Sequence, residues 1–107
     1  MGHFSCVIQE GSAASQATGV LEQRLRSLHT SHYPDDASTI SWREVPTGYM
    51  FTEGRQSSSS IIACVMAWET TLPERESYMR DVCDVWTEVT GCTDHEVVVA
   101  VTQIDPL

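Results

Sequence analysis

An internal repeat limits most strongly what this chain can fold into. A β-α-β order of elements occurs twice, and the two halves match at a shift of about 58 residues. Ser5-Cys6-Val7 falls on Ala63-Cys64-Val65, Leu25 on Cys83, Leu28 on Trp86 and Ile40 on Val98. The identities are few, so the shared order of elements carries the comparison.

In the first half, residues 3–9 read as a strand. Gly11 and Ser12 break it, and Ser12 is a suitable helix N-cap. From about 13 to 30, Ala17, Val20, Leu21, Leu25 and Leu28 recur at helical spacing. Pro34-Asp35-Asp36 ends that helix, and Thr39 to Val45 reads as a second strand stopped at Pro46-Thr47-Gly48. Residues 47–60 form a polar connector. The serines 57–60 predict a flexible loop, while Tyr49-Met50-Phe51 is too apolar for a free linker and predicts a short strand or a packed segment.

The second half opens on Ile61 to Trp68, an apolar run that suits a strand covered on both faces. Thr71-Leu72-Pro73-Glu74 has the spacing of a capping box, with Pro73 in the first turn. Tyr78, Met79, Val82, Val85, Trp86 and Val89 form one helical stripe, and Gly91 is a natural stop. Val97 to Ile104 is the last strand. The reading is one α+β domain over 1–107, with repeats at about 3–46 and 61–105. Right-handed crossovers put both helices on one face of a four-stranded sheet and leave the other face bare, which predicts a self-association.

Charge narrows the function classes. The net charge is −9, the six basic residues are all Arg, and there is no Lys. A nucleic-acid partner needs a basic face, and an anionic membrane surface repels such a chain. A lysine Schiff base is excluded by composition. No stretch approaches the roughly 20 apolar residues of a membrane span, and no export signal is legible, so a cytoplasmic protein is expected. Cys6, Cys64, Cys83 and Cys92 are not paired as C-x-x-C and read as buried free thiols.

The duplicated β-α-β pattern, with the stretch Ile40-Ser41-Trp42-Arg43-Glu44-Val45-Pro46-Thr47-Gly48-Tyr49-Met50-Phe51-Thr52-Glu53-Gly54, resembles the tautomerase superfamily. The likeness covers nearly the whole chain and is nearest the cis-3-chloroacrylic acid dehalogenase branch. It implies a homotrimer whose active sites lie near the start of the first strand, at subunit boundaries. It also implies cofactor-free chemistry with an amino-terminal proline as base, acid or nucleophile. Here Gly2 stands in place of that proline, and His29 falls on a catalytic histidine of the branch. Two carboxylate-binding arginines of the branch fall on Glu69 and Leu72, a tyrosine of the last strand on Val101 or Ala100, and a C-terminal glutamate has no counterpart. Dehalogenation of a chloroacrylate is therefore not expected.

The candidate catalytic residues are Gly2, His29 and Glu69, with Trp68 and Arg75 as substrate-binding candidates. If Met1 is removed, the Gly2 amine takes the place of the proline nitrogen, and an α-amino group titrates near 7.7–8.0. His29 is suited to polarise a carbonyl or donate a proton, although a histidine in the last turn of a helix is also favoured by the dipole. Glu69, if half-buried, is a replacement base; otherwise it is a solvated strand-end residue. Retention of Met1 would fill the mouth of the pocket. His29-x-x-His32 with Asp35-Asp36 is a weak metal pattern, and neither metal nor cofactor is expected. The expected function is proton transfer (isomerisation, enol–keto tautomerisation or base-assisted cyclisation) on a neutral or cationic small molecule, in secondary metabolism. A non-catalytic relative of the fold is the alternative. So is a ferredoxin-like monooxygenase, in which the second and third strands form a hairpin. The enzymatic reading requires a hollow at the start of the first strand, near His29.

Overall fold

The computed structural model describes residues 1–103. β1 (Gly2–Gln9) leads through a one-turn helix α1 (Ala13–Gln16) into α2 (Thr18–His32) and then β2 (Ser38–Val45). A small hairpin, β3 (Phe51–Thr52) and β4 (Arg55–Gln56), precedes β5 (Ser60–Met66), α3 (Leu72–Thr90), a 3-10 turn (Asp94–Glu96) and β6 (Val97–Gln103). The sequence predicts the last strand to run to Ile104; that residue lies outside the described residues.

The main sheet runs β2-β1-β5-β6. β1 and β2 are parallel, β5 and β6 are parallel, and the two pairs meet antiparallel at β1 and β5. These are two β-α-β units laid side by side. Among the described residues β2 is an outer strand bonded to β1 alone, so the ferredoxin-like alternative, which needs a hairpin between the second and third strands, does not hold.

Both long helices pack on one face. Phe4, Cys6, Ile8, Ile62, Cys64 and Met66 point from the sheet into Leu21, Leu25, Leu28, Tyr78, Val82, Val85 and Trp86. Burial pushes the Cys6 and Cys64 thiols up to about 12, which leaves them inert packing groups. On the other face, His3, Ser5 and Val7 share rows with Thr39, Ser41 and Arg43 of β2 and with Val65, Ala63 and Ile61 of β5. Ile61 and Val98 stand exposed there. β5 is thus covered on one face only within a subunit, although its sequence reads as doubly covered.

Local chemistry sets the element ends. The Ser12 hydroxyl accepts from the Ser15 amide, but the first helix is not continuous over 13–30: it closes after one turn at Ala17, whose N–H returns to Ala14, and restarts at Thr18. Thr71 caps α3 through the Glu74 amide, and Gly91 ends it at φ 73°. The connector is not a free loop. Glu53 and Gly54 both have positive φ, the geometry of a two-residue hairpin turn. The Ser57 and Ser59 hydroxyls bond Thr52, and Ser59 and Ser60 are buried. A serine run reads as loop by composition, and the side-chain ladder across the hairpin is what orders it.

Candidate functional site

The chain's first residues, the end of α2, the end of β5 and the start of α3 meet at one end of the sheet. Gly2 pairs with Met66, and Met66 pairs with Gln103, so residues 2, 66 and 103 form one row.

His29 lies in the last turn of α2 and is wholly buried. Its Nε2 is 2.6 Å from Asp36 Oδ2 and its Nδ1 is 2.8 Å from the Tyr78 hydroxyl. Asp36 accepts, so Nε2 carries a proton. In the neutral ring the Tyr78 hydroxyl then donates to Nδ1. Burial raises the Tyr78 phenol far above its ordinary value and keeps it a hydroxyl. The imidazole is walled by Phe4, Tyr33, Trp68 and Tyr78, with ring centroids 5.4–6.5 Å away. A buried imidazole bonded at both nitrogens is fixed in position.

Asp36 connects this interior to the surface. Its side chain is 24% exposed, and Oδ1 lies 2.8 Å from the α-ammonium of Met1. Hydrogen bonds from that amine and then from His29 hold the Asp36 carboxyl below the ordinary aspartate range. Gly2 is pinned separately, its N–H donating to the Ala37 carbonyl at 3.1 Å. A Cβ at position 2 would lie 2.4 Å from His29 Cε1. The imidazole occupies the space that any side chain, a proline ring included, would need.

The other candidates fall beside this group. Trp68, half-buried, meets Tyr33 edge to face at 4.9 Å and reaches His29. Glu69 is exposed and not half-buried, because the chain has left the sheet at Met66. Glu69 and Arg75 line an open cleft of about 520 Å³ with Thr70, Val101, Thr102 and Gln103. Arg75 donates to the Thr70 carbonyl, and the Gln103 amide oxygen accepts from the Thr70 N–H. Across two strand spacings, Gln103 at the cleft stands about 10 Å from Gly2 along the sheet. His29 does not line that cleft, and with no exposed surface it cannot itself touch a ligand in this conformation.

Sequence reasoning missed Asp36, Tyr78 and Tyr33. Asp36 read as a helix terminator and as part of a weak metal pattern, not as a hydrogen-bond partner of His29, and Tyr78 read as part of an apolar stripe. Their partnership with His29 spans 7 and 49 residues and leaves no local pattern. The metal pattern separates: His29 pairs with Asp36, whereas His32 pairs with Asp81 at 2.6 Å. Among the described residues no group of three or more His, Cys, Asp or Glu could hold a metal ion, and no helix is long and apolar enough to cross a membrane.

No family model matches the chain, and no curated protein matches it by sequence. Solved structures do. The chain is similar to native Ps01740 at a TM-score of 0.86 and 26% identity, covering 95% of this chain and 93% of that one. It is similar to N1, a member of the cis-3-chloroacrylic acid dehalogenase family, at 0.83 and 15%, covering 95% and 74%. A fused 4-OT, a wild-type symmetric trimer, aligns at 0.83 and 11%, covering 95% and 85%. The chain therefore has the tautomerase-superfamily fold that its repeat and its Pro-x-Gly stretch resemble.

Proposed function

We propose that this tautomerase-like chain is a cofactor-free proton-transfer catalyst acting on a neutral or cationic small molecule. The single observation that supports the reading is the Asp36 carboxylate, held at 2.6 Å from His29 and at 2.8 Å from the chain's terminal amine. With Met1 removed, the Gly2 amine is the base. It takes a proton from the carbon next to a carbonyl, the electron pair moves to the carbonyl oxygen, and the proton returns at carbon or oxygen. Nothing is oxidised or reduced. Asp36 stabilises the ammonium that forms, and His29 and Tyr78 act as positioning residues behind it. Trp68 provides an apolar wall, while Glu69 and Arg75 at the neighbouring cleft contact the rest of the substrate. A net charge of −9 and the lack of an arginine clamp disfavour a small dianionic acid. The assembly in this reading is a homotrimer with the bare sheet face turned inward, as trimeric fused 4-OT supports.

The test is α-proton exchange into D2O on a 2-oxo amide, followed by NMR, with intact mass fixing the state of Met1. A positioned base is expected to accelerate exchange by about 10²–10⁴-fold over the free amine in buffer, and Asp36→Asn to remove most of that gain. Exchange at the buffer rate in the Met1-free chain would end the catalytic reading.

One observation favours a second reading. His29 is sealed, and Met1 lies over Asp36, which suits a non-catalytic member of the fold whose terminus is a structural ion pair. Wild-type protein that keeps Met1 and exchanges no protons supports this alternative.

A further inference from the structure

The internal repeat gives the far end of the sheet a counterpart of the amino-terminal end. A shift of 58 carries the start of β1 at Gly2 onto the start of β5 at Ser60, and the end of α2 at His32 onto the end of α3 at Thr90. The same shift carries His29 onto Thr87. In the first unit the imidazole fills the space beside Gly2. In the second unit the smaller Thr87 turns its hydroxyl back to the Asp84 carbonyl, 3.2 Å away. Here the start of β5 faces a cavity of about 180 Å³, walled by Ser60 with Ser12, Ser58, Thr90, Cys92 and Glu96. That is room for about six water volumes.

The wall is acceptor-rich and carries one charge. Ser60 is 3% exposed and shares the helix-facing side of β5 with Ile62 and Cys64, so its hydroxyl points into the layer where the cavity lies. Among the described residues nothing bonds this hydroxyl, and it is not sealed: it opens on the cavity. The Thr90 hydroxyl donates to the Trp86 carbonyl at 2.7 Å and accepts from the Cys92 N–H, so only acceptor capacity remains to it. Val97 is the sheet partner of Ser60, which brings Glu96 alongside. The N–H and the hydroxyl of Thr93 both donate to Glu96 Oε1, and Oε2 has no partner among the described residues. Those two bonds hold the Glu96 carboxyl below the ordinary glutamate range, so it is ionised near neutrality. No arginine or histidine lines the cavity among the described residues. The ladder from Thr52 to Ser57 and Ser59 fixes the strand start on which Ser58 and Ser60 stand.

We infer that this cavity is a second ligand site, separate from the amino-terminal one, for a small primary ammonium that carries another polar group. Glu96 Oε2 takes the ammonium in a charge-assisted bond, and Thr90 accepts a further proton of it. The hydroxyls of Ser60 and Ser12 meet the polar end. A carboxylate ligand faces like charge at Glu96 with no guanidinium to offset it, and a neutral ligand forgoes the charge-assisted bond. The site needs no covalent step and does not depend on the proton-transfer reading.

The experiment titrates 4-amino-1-butanol, its neutral isostere 1,4-butanediol, and 4-hydroxybutanoate into the full chain, following amide chemical shifts by NMR. The amino alcohol is expected to give saturable shifts at Ser60, Gly91 and Cys92, and to bind about tenfold or more tightly than the diol, with the anion weakest. Its occupancy is expected to shield Cys92 from iodoacetamide, while Cys83, also half-buried but outside the cavity, is the internal control. Glu96→Gln keeps an acceptor for the Thr93 bonds and removes the charge, so it is expected to keep the 3-10 turn and lose the preference for the ammonium. Ser60→Ala is expected to weaken binding of all three ligands. Equal affinities of amino alcohol and diol, shifts that do not saturate, shifts confined to the Gly2 end of the sheet, or an undiminished preference in Glu96→Gln would overturn the site. The comparison of the three ligands on the wild-type chain decides the matter even where a variant fails to fold.

Discussion

Gly2 and Asp36 carry opposite kinds of information. Gly2 is small because His29 stands where its side chain would be, with 2.4 Å between a built Cβ and Cε1. The imidazole cannot step aside without breaking its bonds to Asp36 and Tyr78. Gly2→Ala is therefore expected to destabilise the fold by about 1–3 kcal/mol, the usual range for overpacking, and urea unfolding checks it. Gly2→Pro meets the same clash at its Cβ, so it is expected to destabilise the fold at least as much and not to restore a proline-based site. Asp36 is legible through titration. Its folded value lies below the ordinary 3.9 of aspartate, so its ionised form stabilises the native state above that value. This contribution is lost as pH falls through the folded value. The gap in Tm between wild type and Asp36→Asn is expected to be steady from about pH 5 to 7 and to shrink below about pH 4. A gap that widens on acidification would contradict the ion pair.

Among the elements, α3 best shows local sequence and local structure agreeing. Thr71 caps its start and Gly91 ends it in the left-handed region, with no atom near enough to crowd a Cβ there. Thr71→Ala is expected to cost about 1 kcal/mol through the lost cap. Gly91→Ala should cost a similar amount, about 1–2 kcal/mol, for backbone reasons alone. Thermal unfolding measures both. α3 also delivers Tyr78 to His29 and Asp81 to His32, so its apolar stripe and its site-facing residues share one side. The first helix differs because the apolar spacing continues through Ala17 while the backbone does not. Periodicity reports which side is buried, and it is insensitive to a single residue that leaves helical φ and ψ.

For the whole molecule, the decisive feature is the sheet face without helices. Ile61 and Val98, paired across β5 and β6, expose apolar surface that a solitary subunit leaves in water. A homotrimer that turns this face inward is expected in light scattering. Ile61→Asp combined with Val98→Asp should shift the mass to that of one subunit while leaving the helical circular dichroism in place. A wild-type monomer would remove the assembly from the proposed function.

The sequence by itself determined the twofold β-α-β order, the caps at Ser12, Thr71 and Gly91, the helix faces, and the position of His29 in a last turn. These are properties of spacing and of single-residue chemistry, and they act over a few residues. Only the tertiary structure decided that the two units meet antiparallel through β1 and β5, that serines 57–60 are laddered onto Thr52, and that Glu69 is exposed. It also decided that Asp36 and Tyr78 grip one imidazole pressed against Gly2. The physical reason is distance along the chain. Hydrogen bonds and close contacts between residues 2, 29, 36 and 78 depend on packing that brings four elements together, and no local pattern encodes it.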